Sequence, residues 1–213
     1  MALECSTLVL DLDGTISDPS LGISRCMNHA LQIHGFNAVS SKDIAREIGP
    51  PLDEMFLKLA PDVSTENIPA LVSTYRERYS DCGYSENLIY PNIFSAIEQA
   101  YKAGLRLGVC TSKRTDFAEK IILLFGLSQF FYFIDGGDIG ISKEMQLARL
   151  LSCGAIDRGA IMVGDRAVDI HSATANGLRS IGVLWGFGSN AELTKASPTH
   201  IVETVNEFCG IVI

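Results

Sequence analysis

Hydrophobic positions along the chain fall into two textures. Close to the start, Thr7 to Leu10 is a short apolar run that predicts a buried strand. From about residue 17 to residue 88 the apolar residues recur instead at helical spacing. Asp18-Pro19 reads as an N-cap followed by proline at the first helical position, and Ile23, Cys26, Met27, Ala30 and Leu31 form the stripe that follows, ended by Gly35. A short helix around Ile44 is stopped by Gly49-Pro50-Pro51, and a second stripe, Leu52, Met55, Phe56 and Leu59, breaks at Pro61. Ser64 or Thr65 opens a longer helix with Ile68, Leu71, Val72, Tyr75 and Tyr79 on its buried face. No strand is predicted in this stretch, and the stripes have the width of ordinary helix–helix packing.

From Tyr90-Pro91 onward, helical stripes alternate with short apolar runs. A helix from Asn92 to about Ala103 ends at Gly104, and a strand from Leu105 to Cys110 finishes in Thr111-Ser112-Lys113. Phe117, Ile121, Leu124 and Phe125 mark the next helix, which stops at Gly126. Tyr132 to Ile134 predicts a strand ending on Asp135-Gly136-Gly137-Asp138, and Ser142 caps a helix to about Cys153. Further strands fall at Ala160–Val163, Ser180–Leu184 and His200–Val202. Such alternation implies a mainly parallel sheet covered on both faces. The expected fold is α/β: a doubly wound, Rossmann-like core of residues 1–16 and 89–213, interrupted by an all-helical cap over residues 17–88. A helical insert directly after a strand that carries carboxylates can act as a lid over them.

Ligands of parallel sheets bind at the carboxyl ends of strands, and each polar cluster of this chain falls at such an end. Two-residue alternation puts Asp11 and Asp13 on one side of an extended backbone, with Leu12 turned away. Two like charges so close need a shared proton or a cation between them, and a hard divalent cation such as Mg²⁺ suits oxygen ligands. Asp165 ends a later strand, and Asp169 follows one helical turn on, on the same side. Thr111 and Ser112 stand where hydroxyl and backbone N–H groups can hold a phosphoryl oxygen. Lys143 lies in a first helical turn, a poor place for a cation in the helix dipole, which points to another use. Each feature alone also has a plain structural reading, as turn former, helix cap, dipole partner or solvated charge. Together they suit phosphoryl transfer. One carboxylate attacks phosphorus, Mg²⁺, Lys143 and Thr111 neutralise the equatorial oxygens, and Asp13 serves as proton donor and then as base.

Composition narrows the partners. The 213 residues carry a net charge of −8 and no basic run, which argues against a nucleic-acid polymer and leaves small anions open. Six cysteines lie scattered without metal-ligand spacing. The amino terminus, Met1-Ala2-Leu3-Glu4, lacks the features of a secretory signal, and no apolar run reaches the length of a membrane span. A reduced, cytoplasmic setting without membrane attachment is expected. Oligomeric state is not readable.

Asp11-Leu12-Asp13-Gly14-Thr15, Thr111, Lys143 and Gly164-Asp165 with Asp169 resemble the four ordered motifs of the haloacid dehalogenase superfamily of phosphatases, over essentially the whole chain. The resemblance implies Asp11 as nucleophile, Asp13 as acid and base, and Mg²⁺ held by Asp11, the backbone carbonyl of Asp13 and Asp165, with Asp169 supporting through water. Ile48-Gly49-Pro50-Pro51-Leu52, Glu86 to Pro91, Val109 to Lys113, Ser180 to Val183 and Trp185 to Ser189 are similar to the phosphoglycolate-phosphatase-like and 5′-nucleotidase-like branch. The segment from Gly136 to Ser142 is a few residues shorter than that branch implies, which makes the reach of Lys143 a question for the structure. Arg46, near the Gly49-Pro50-Pro51 turn, is the candidate substrate contact from the cap, with a plain surface charge as the competing reading. The reading is thus a Mg²⁺-dependent phosphatase for a small phosphorylated metabolite. A phosphosugar mutase and a phospho-accepting signalling domain are the alternatives that share the chemistry.

Overall fold

The computed structural model describes residues 5–49, 52–137 and 140–213. The expectations placed on Met1 to Glu4, on Pro50-Pro51 and on Asp138 lie outside the described residues. The chain divides into two compact units, residues 1–17 with 89–213 and residues 18–88. Its first elements are β1 (Thr7–Leu10), β2 (Ser17–Asp18), α1 (Ser20–Ile33), α2 (Ser41–Arg46), α3 (Leu52–Leu59), α4 (Ile68–Asp81) and β3 (Leu88–Ile89). Then follow α5 (Ile93–Lys102), β4 (Arg106–Arg114), α6 (Thr115–Leu124), β5 (Phe133–Gly137), α7 (Lys143–Ser152) and β6 (Ile161–Gly164). The last are α8 (Ala167–Ala175), β7 (Arg179–Val183), α9 (Asn190–Ala196), β8 (His200–Val202) and α10 (Val205–Val212).

The larger unit is built on a six-stranded sheet of order β5-β4-β1-β6-β7-β8 in which every neighbouring pair is parallel. This is the doubly wound α/β core that the alternation of stripes and runs predicts. Leu8 pairs with Leu107 on one side and with Ile161 on the other, so β1 is central. The chain steps from β1 through β4 to β5 and then crosses back to lay down β6, β7 and β8. Strand order therefore reverses beside β1, the position where α/β sheets bind ligands. Leu8, Val9 and Leu10 are buried on both faces, which stabilises the fold by about 5–9 kcal/mol in all. Val9 belongs to one core cluster with Cys110, Leu147 and Met162, while Leu8 and Leu10 alternate to the opposite face.

Several boundaries differ from the expectation. β4 does not stop at Cys110 but runs to Arg114, and β5 does not stop at Ile134 but runs to Gly137. The glycines of β5 permit this close approach: a Cβ on Gly136 would sit 2.3 Å from the Thr115 backbone nitrogen, and one on Gly137 2.6 Å from the Ser112 carbonyl oxygen. Thr111 pairs with Gly136 and Arg114 with Gly137, so Ser112 and Lys113 form a bulge for which β5 has no counterpart. In α6, Leu124 is 50% exposed and Ile122 takes the buried place expected for it.

In the smaller unit, Pro19 and not Asp18 holds the N-cap position of α1, and Asp18 Oδ1 instead accepts a hydrogen bond from Ser20 N–H at 2.9 Å. α4 begins at Ile68 and not at Ser64 or Thr65, because Pro69 is tolerated only in a first helical turn. Val72 is only half-buried there. Ser17–Asp18 and Leu88–Ile89, expected to hold no strand, pair as a two-stranded sheet. Phe56, Tyr75 and Tyr79 fill the interior of this unit, with Tyr75 and Tyr79 stacked at 5.6 Å between ring centroids. Arg78 holds Glu86 through both guanidinium nitrogens, at 2.9 and 3.1 Å. All six cysteines are free thiols. Among the described residues no helix is long and apolar enough to cross a membrane.

Candidate active site

Asp11 leaves β1 with its backbone N–H on the Val163 carbonyl at 2.9 Å, which ties the ends of β1 and β6 together. Its Oδ1 accepts from the Leu12 N–H at 2.8 Å, and its Oδ2 lies 2.8 Å from Lys143 Nζ. Gly14 then turns the chain through φ +82°, and a Cβ there would fall 2.2 Å from Asp165 Oδ2. No residue with a side chain fits between the two acidic strand ends. The side chain of Asp13 is 21% exposed, with Oδ2 2.8 Å from Lys113 Nζ and Oδ1 buried without a hydrogen-bond partner among the described residues.

Lys143 is the first residue of α7, whose N-cap Ser142 accepts from Met145 N–H at 3.2 Å. The lysine side chain is 1% exposed and its ammonium bridges Asp11 Oδ2 and Asp169 Oδ1. The short segment before it therefore does not keep it from the strand ends. Asp169 lies in the first turn of α8, where its Oδ2 accepts from Arg166 N–H at 3.0 Å. Asp165 is fully buried; its Oδ2 accepts from Phe187 N–H at 2.7 Å, and its Oδ1 has no partner among the described residues. Oxygens of Asp11, Asp165 and Asp169 lie within 4.8 Å of one another. The Asp13 side chain stands apart from this group, turned to Lys113.

Thr111 is buried in β4, and its Oγ accepts from Lys113 N–H at 3.3 Å, while Ser112 is exposed. Gln146, one helical turn beyond Lys143, donates to the Thr111 carbonyl and to the Asp135 carbonyl, each at 3.1 Å. It thereby fixes the ends of β4 and β5 against α7. Arg46 closes α2 in the smaller unit, exposed and 3.4 Å from Asp43 Oδ1. The structure thus brings Asp11, Asp13, Thr111, Lys143, Asp165 and Asp169 to one edge of the sheet. It adds three groups that the sequence reading did not single out: the Lys113 ammonium, the Gln146 amide and the Phe187 N–H.

Electrostatics follow from this crowding. Burial pushes Asp165 up to about 8, with Asp169 and Asp11 adding their repulsion and the Phe187 N–H opposing it. Asp169 rises to about 6 through burial, partly offset by Lys143. Asp13 is raised by burial and by Asp11, while Lys113 draws it down. Burial alone would lower Lys143, but Asp11 and Asp169 overcome it and hold the group as an ammonium. Were all four ionised together, the carboxylates would exceed the two ammonium groups by two negative charges. Buried carboxylate oxygens without partners and an all-oxygen donor set fit a hard divalent cation.

Comparisons with known proteins agree with this geometry. The family model described as haloacid dehalogenase-like hydrolase matches residues 8–183. A 5′-nucleotidase of Pseudomonas aeruginosa is 35% identical over 203 residues, 93% of this chain and 91% of the relative. The tyrosine-protein kinase PtkA of Mycobacterium tuberculosis is 33% identical, over 94% of this chain and 70% of the relative. A crystal structure of a predicted phosphatase from Clostridium acetobutylicum superposes with a TM-score of 0.88 at 30% identity, over 97% of each chain.

Proposed function

This chain belongs to the haloacid dehalogenase-like hydrolase family, and from that premise we propose that it is a Mg²⁺-dependent phosphomonoesterase that works through an aspartyl-phosphate on Asp11. Its substrate is a small phosphorylated metabolite of the phosphoglycolate or nucleoside 5′-monophosphate kind, the latter being the class named for the Pseudomonas aeruginosa relative. The observation that carries this reading is the ammonium of Lys143 bridging Asp11 and Asp169 beside the unpartnered oxygens of Asp13 and Asp165.

Asp11 attacks phosphorus, so that an Asp11 O–P bond forms while the bond from phosphorus to the leaving oxygen breaks. Asp13 gives its proton to that leaving oxygen. A water molecule then attacks the phosphoryl group, Asp13 takes the proton back, and the Asp11 O–P bond opens to release phosphate. Lys143 neutralises charge on the phosphoryl oxygens, which in a buried site is worth far more than in water. Thr111 and the backbone of the bulge that follows it supply hydrogen bonds to the same oxygens, with Ser112 as a further donor at the exposed end. Asp169 keeps Lys143 on the Asp11 side. Asp11, Asp165 and the Asp13 carbonyl would hold Mg²⁺, supported by Asp169, and the bound ion supplies two positive charges against the phosphoryl oxygens. Arg46 remains the proposed substrate contact for an anionic leaving group.

Phosphate release from a panel of phosphoesters, with and without Mg²⁺, tests the reading. The panel holds phosphoglycolate, nucleoside monophosphates, sugar phosphates, pyrophosphate, and ATP with a tyrosine peptide. Mg²⁺-dependent release that Asp11→Asn abolishes in a folded protein is the expected result. A folded Asp11→Asn variant with wild-type turnover, a sugar-phosphate isomer in place of phosphate, or transfer to the peptide would each overturn it.

A further inference from the structure

We propose that Lys113 is a positioning residue for Asp13, fixing which carboxylate oxygen meets the leaving group. The inference deepens the phosphatase reading and rests on it. Three observations carry it. The Lys113 ammonium lies 2.8 Å from Asp13 Oδ2, and the lysine side chain is 9% exposed, so the contact is not a solvated surface pair. Asp13 Oδ1, the other oxygen of that carboxylate, is buried and has no partner among the described residues. Lys113 stands on the bulge of β4, two residues beyond Thr111, and its own N–H is on Thr111 Oγ.

The bulge explains why the lysine is there. Between Thr111 and Arg114 the pairing with β5 slips, and the glycines of β5 let the carbonyl of Ser112 lie where any Cβ on Gly137 would stand. From the bulge, Lys113 reaches Asp13, just beyond the end of β1, with its ammonium 2.8 Å from Oδ2. One ammonium thus occupies Oδ2 and leaves Oδ1, buried among the described residues, as the oxygen with hydrogen-bonding capacity to spare. A proton donor is effective only within hydrogen-bond reach of the group it protonates, so a carboxylate free to rotate would present that oxygen for a fraction of the time.

The role shows in the leaving group. A p-nitrophenolate leaves without help, whereas an alkoxide needs the proton. Lys113→Met should lower kcat/KM, which runs only as far as departure of the leaving group, by about 100-fold on the best alkyl phosphate of the panel and by less than about tenfold on p-nitrophenyl phosphate. Lys113→Arg should recover part of the alkyl activity. In the Asp13→Asn background, Lys113→Met should cost less than about threefold, because the residue it acts through is gone. That double variant also removes both charges together, which keeps the test open if Lys113→Met alone does not fold. Equal losses on both esters or multiplicative losses in the double variant would overturn the positioning role while the phosphatase reading stands. A wild-type protein that releases no phosphate from any ester overturns both.

Discussion

The backbone N–H of Phe187 donates to Asp165 Oδ2 at 2.7 Å, while Asp165 Oδ1 is buried and has no partner among the described residues. The segment that delivers this N–H packs directly on the acidic strand ends. A Cβ on Gly186 would lie 2.2 Å from the Gly14 carbonyl oxygen and 2.4 Å from Asp165 Oδ2, and one on Gly188 would lie 1.8 Å from the Asp165 carbonyl oxygen. Trp185 anchors the segment through its indole N–H on the Thr15 carbonyl at 3.0 Å.

Gly186→Ala is therefore expected to push the segment off Asp165. Overpacking of this kind costs about 1–3 kcal/mol, and the misplaced carboxylate should bind Mg²⁺ more weakly. Thermal melts across a Mg²⁺ titration check both effects. A variant that melts and responds to Mg²⁺ as the wild type does would show that this segment does not set the orientation of Asp165.

Lys143→Met removes the cation from between two buried carboxylates. It should lower kcat by about 10²–10³-fold, the effect of removing one preorganised donor from a charged transition state. It should also destabilise the metal-free protein by about 3–5 kcal/mol, because Asp11 and Asp169 are left uncompensated. Phosphate release and urea unfolding in chelator measure the two. Loss of activity with undiminished stability would mean that the lysine serves the substrate alone.

Stability should depend on pH through Asp165, whose carboxyl is pushed up to about 8 by burial and by Asp169 and Asp11. Between the unfolded value near 4 and that folded value, the native state holds a proton that the unfolded chain has released. The contribution of this group is thus complete below about pH 4 and is lost as pH rises to about 8. A divalent cation competes with the same proton, so Mg²⁺ should raise the melting temperature more at about pH 8.5 than at about pH 6. Melting curves in chelator and in excess Mg²⁺ across this range decide it; a Mg²⁺ increment that shrinks with rising pH contradicts the assignment.

Arg46→Ala tests the helical unit. If the guanidinium meets an anionic leaving group, KM should rise about tenfold with kcat little changed, the value of one charge-assisted hydrogen bond. If Arg46 serves only Asp43, exposed at 3.4 Å, steady-state kinetics on every ester of the panel should not move.

The parts of the site that were legible in the sequence are those where charge interrupts aliphatic strands. Thr7–Leu10 and Ile161–Val163 are buried on both faces, so Asp11, Asp13 and Asp165 stand out at their ends. The extension of β4 was not legible, because Thr111-Ser112-Lys113-Arg114 has no apolar pattern and its pairing is permitted by glycines on another strand. Lys113 had a signal all the same: in an unbroken strand, two-residue alternation from Thr111 puts it on the same side. Gln146 had one too, a helical turn from Lys143. The Phe187 contact had none, since a backbone N–H is common to every residue but proline.

The central place of β1 has a consequence for how the protein is made. Leu8 pairs with Leu107 and Ile161, so the strand that leads into Asp11 leaves the ribosome before both of its neighbours and waits for them. At about 5–20 residues per second, the first of them follows about 5–20 s later. Throughout that interval an aliphatic strand with two open edges is exposed on the nascent chain, while residues 18–88, whose internal contacts are complete before β4 is synthesised, can already fold. The strand that ends at Asp11 is thus made before both of the strands that shelter it.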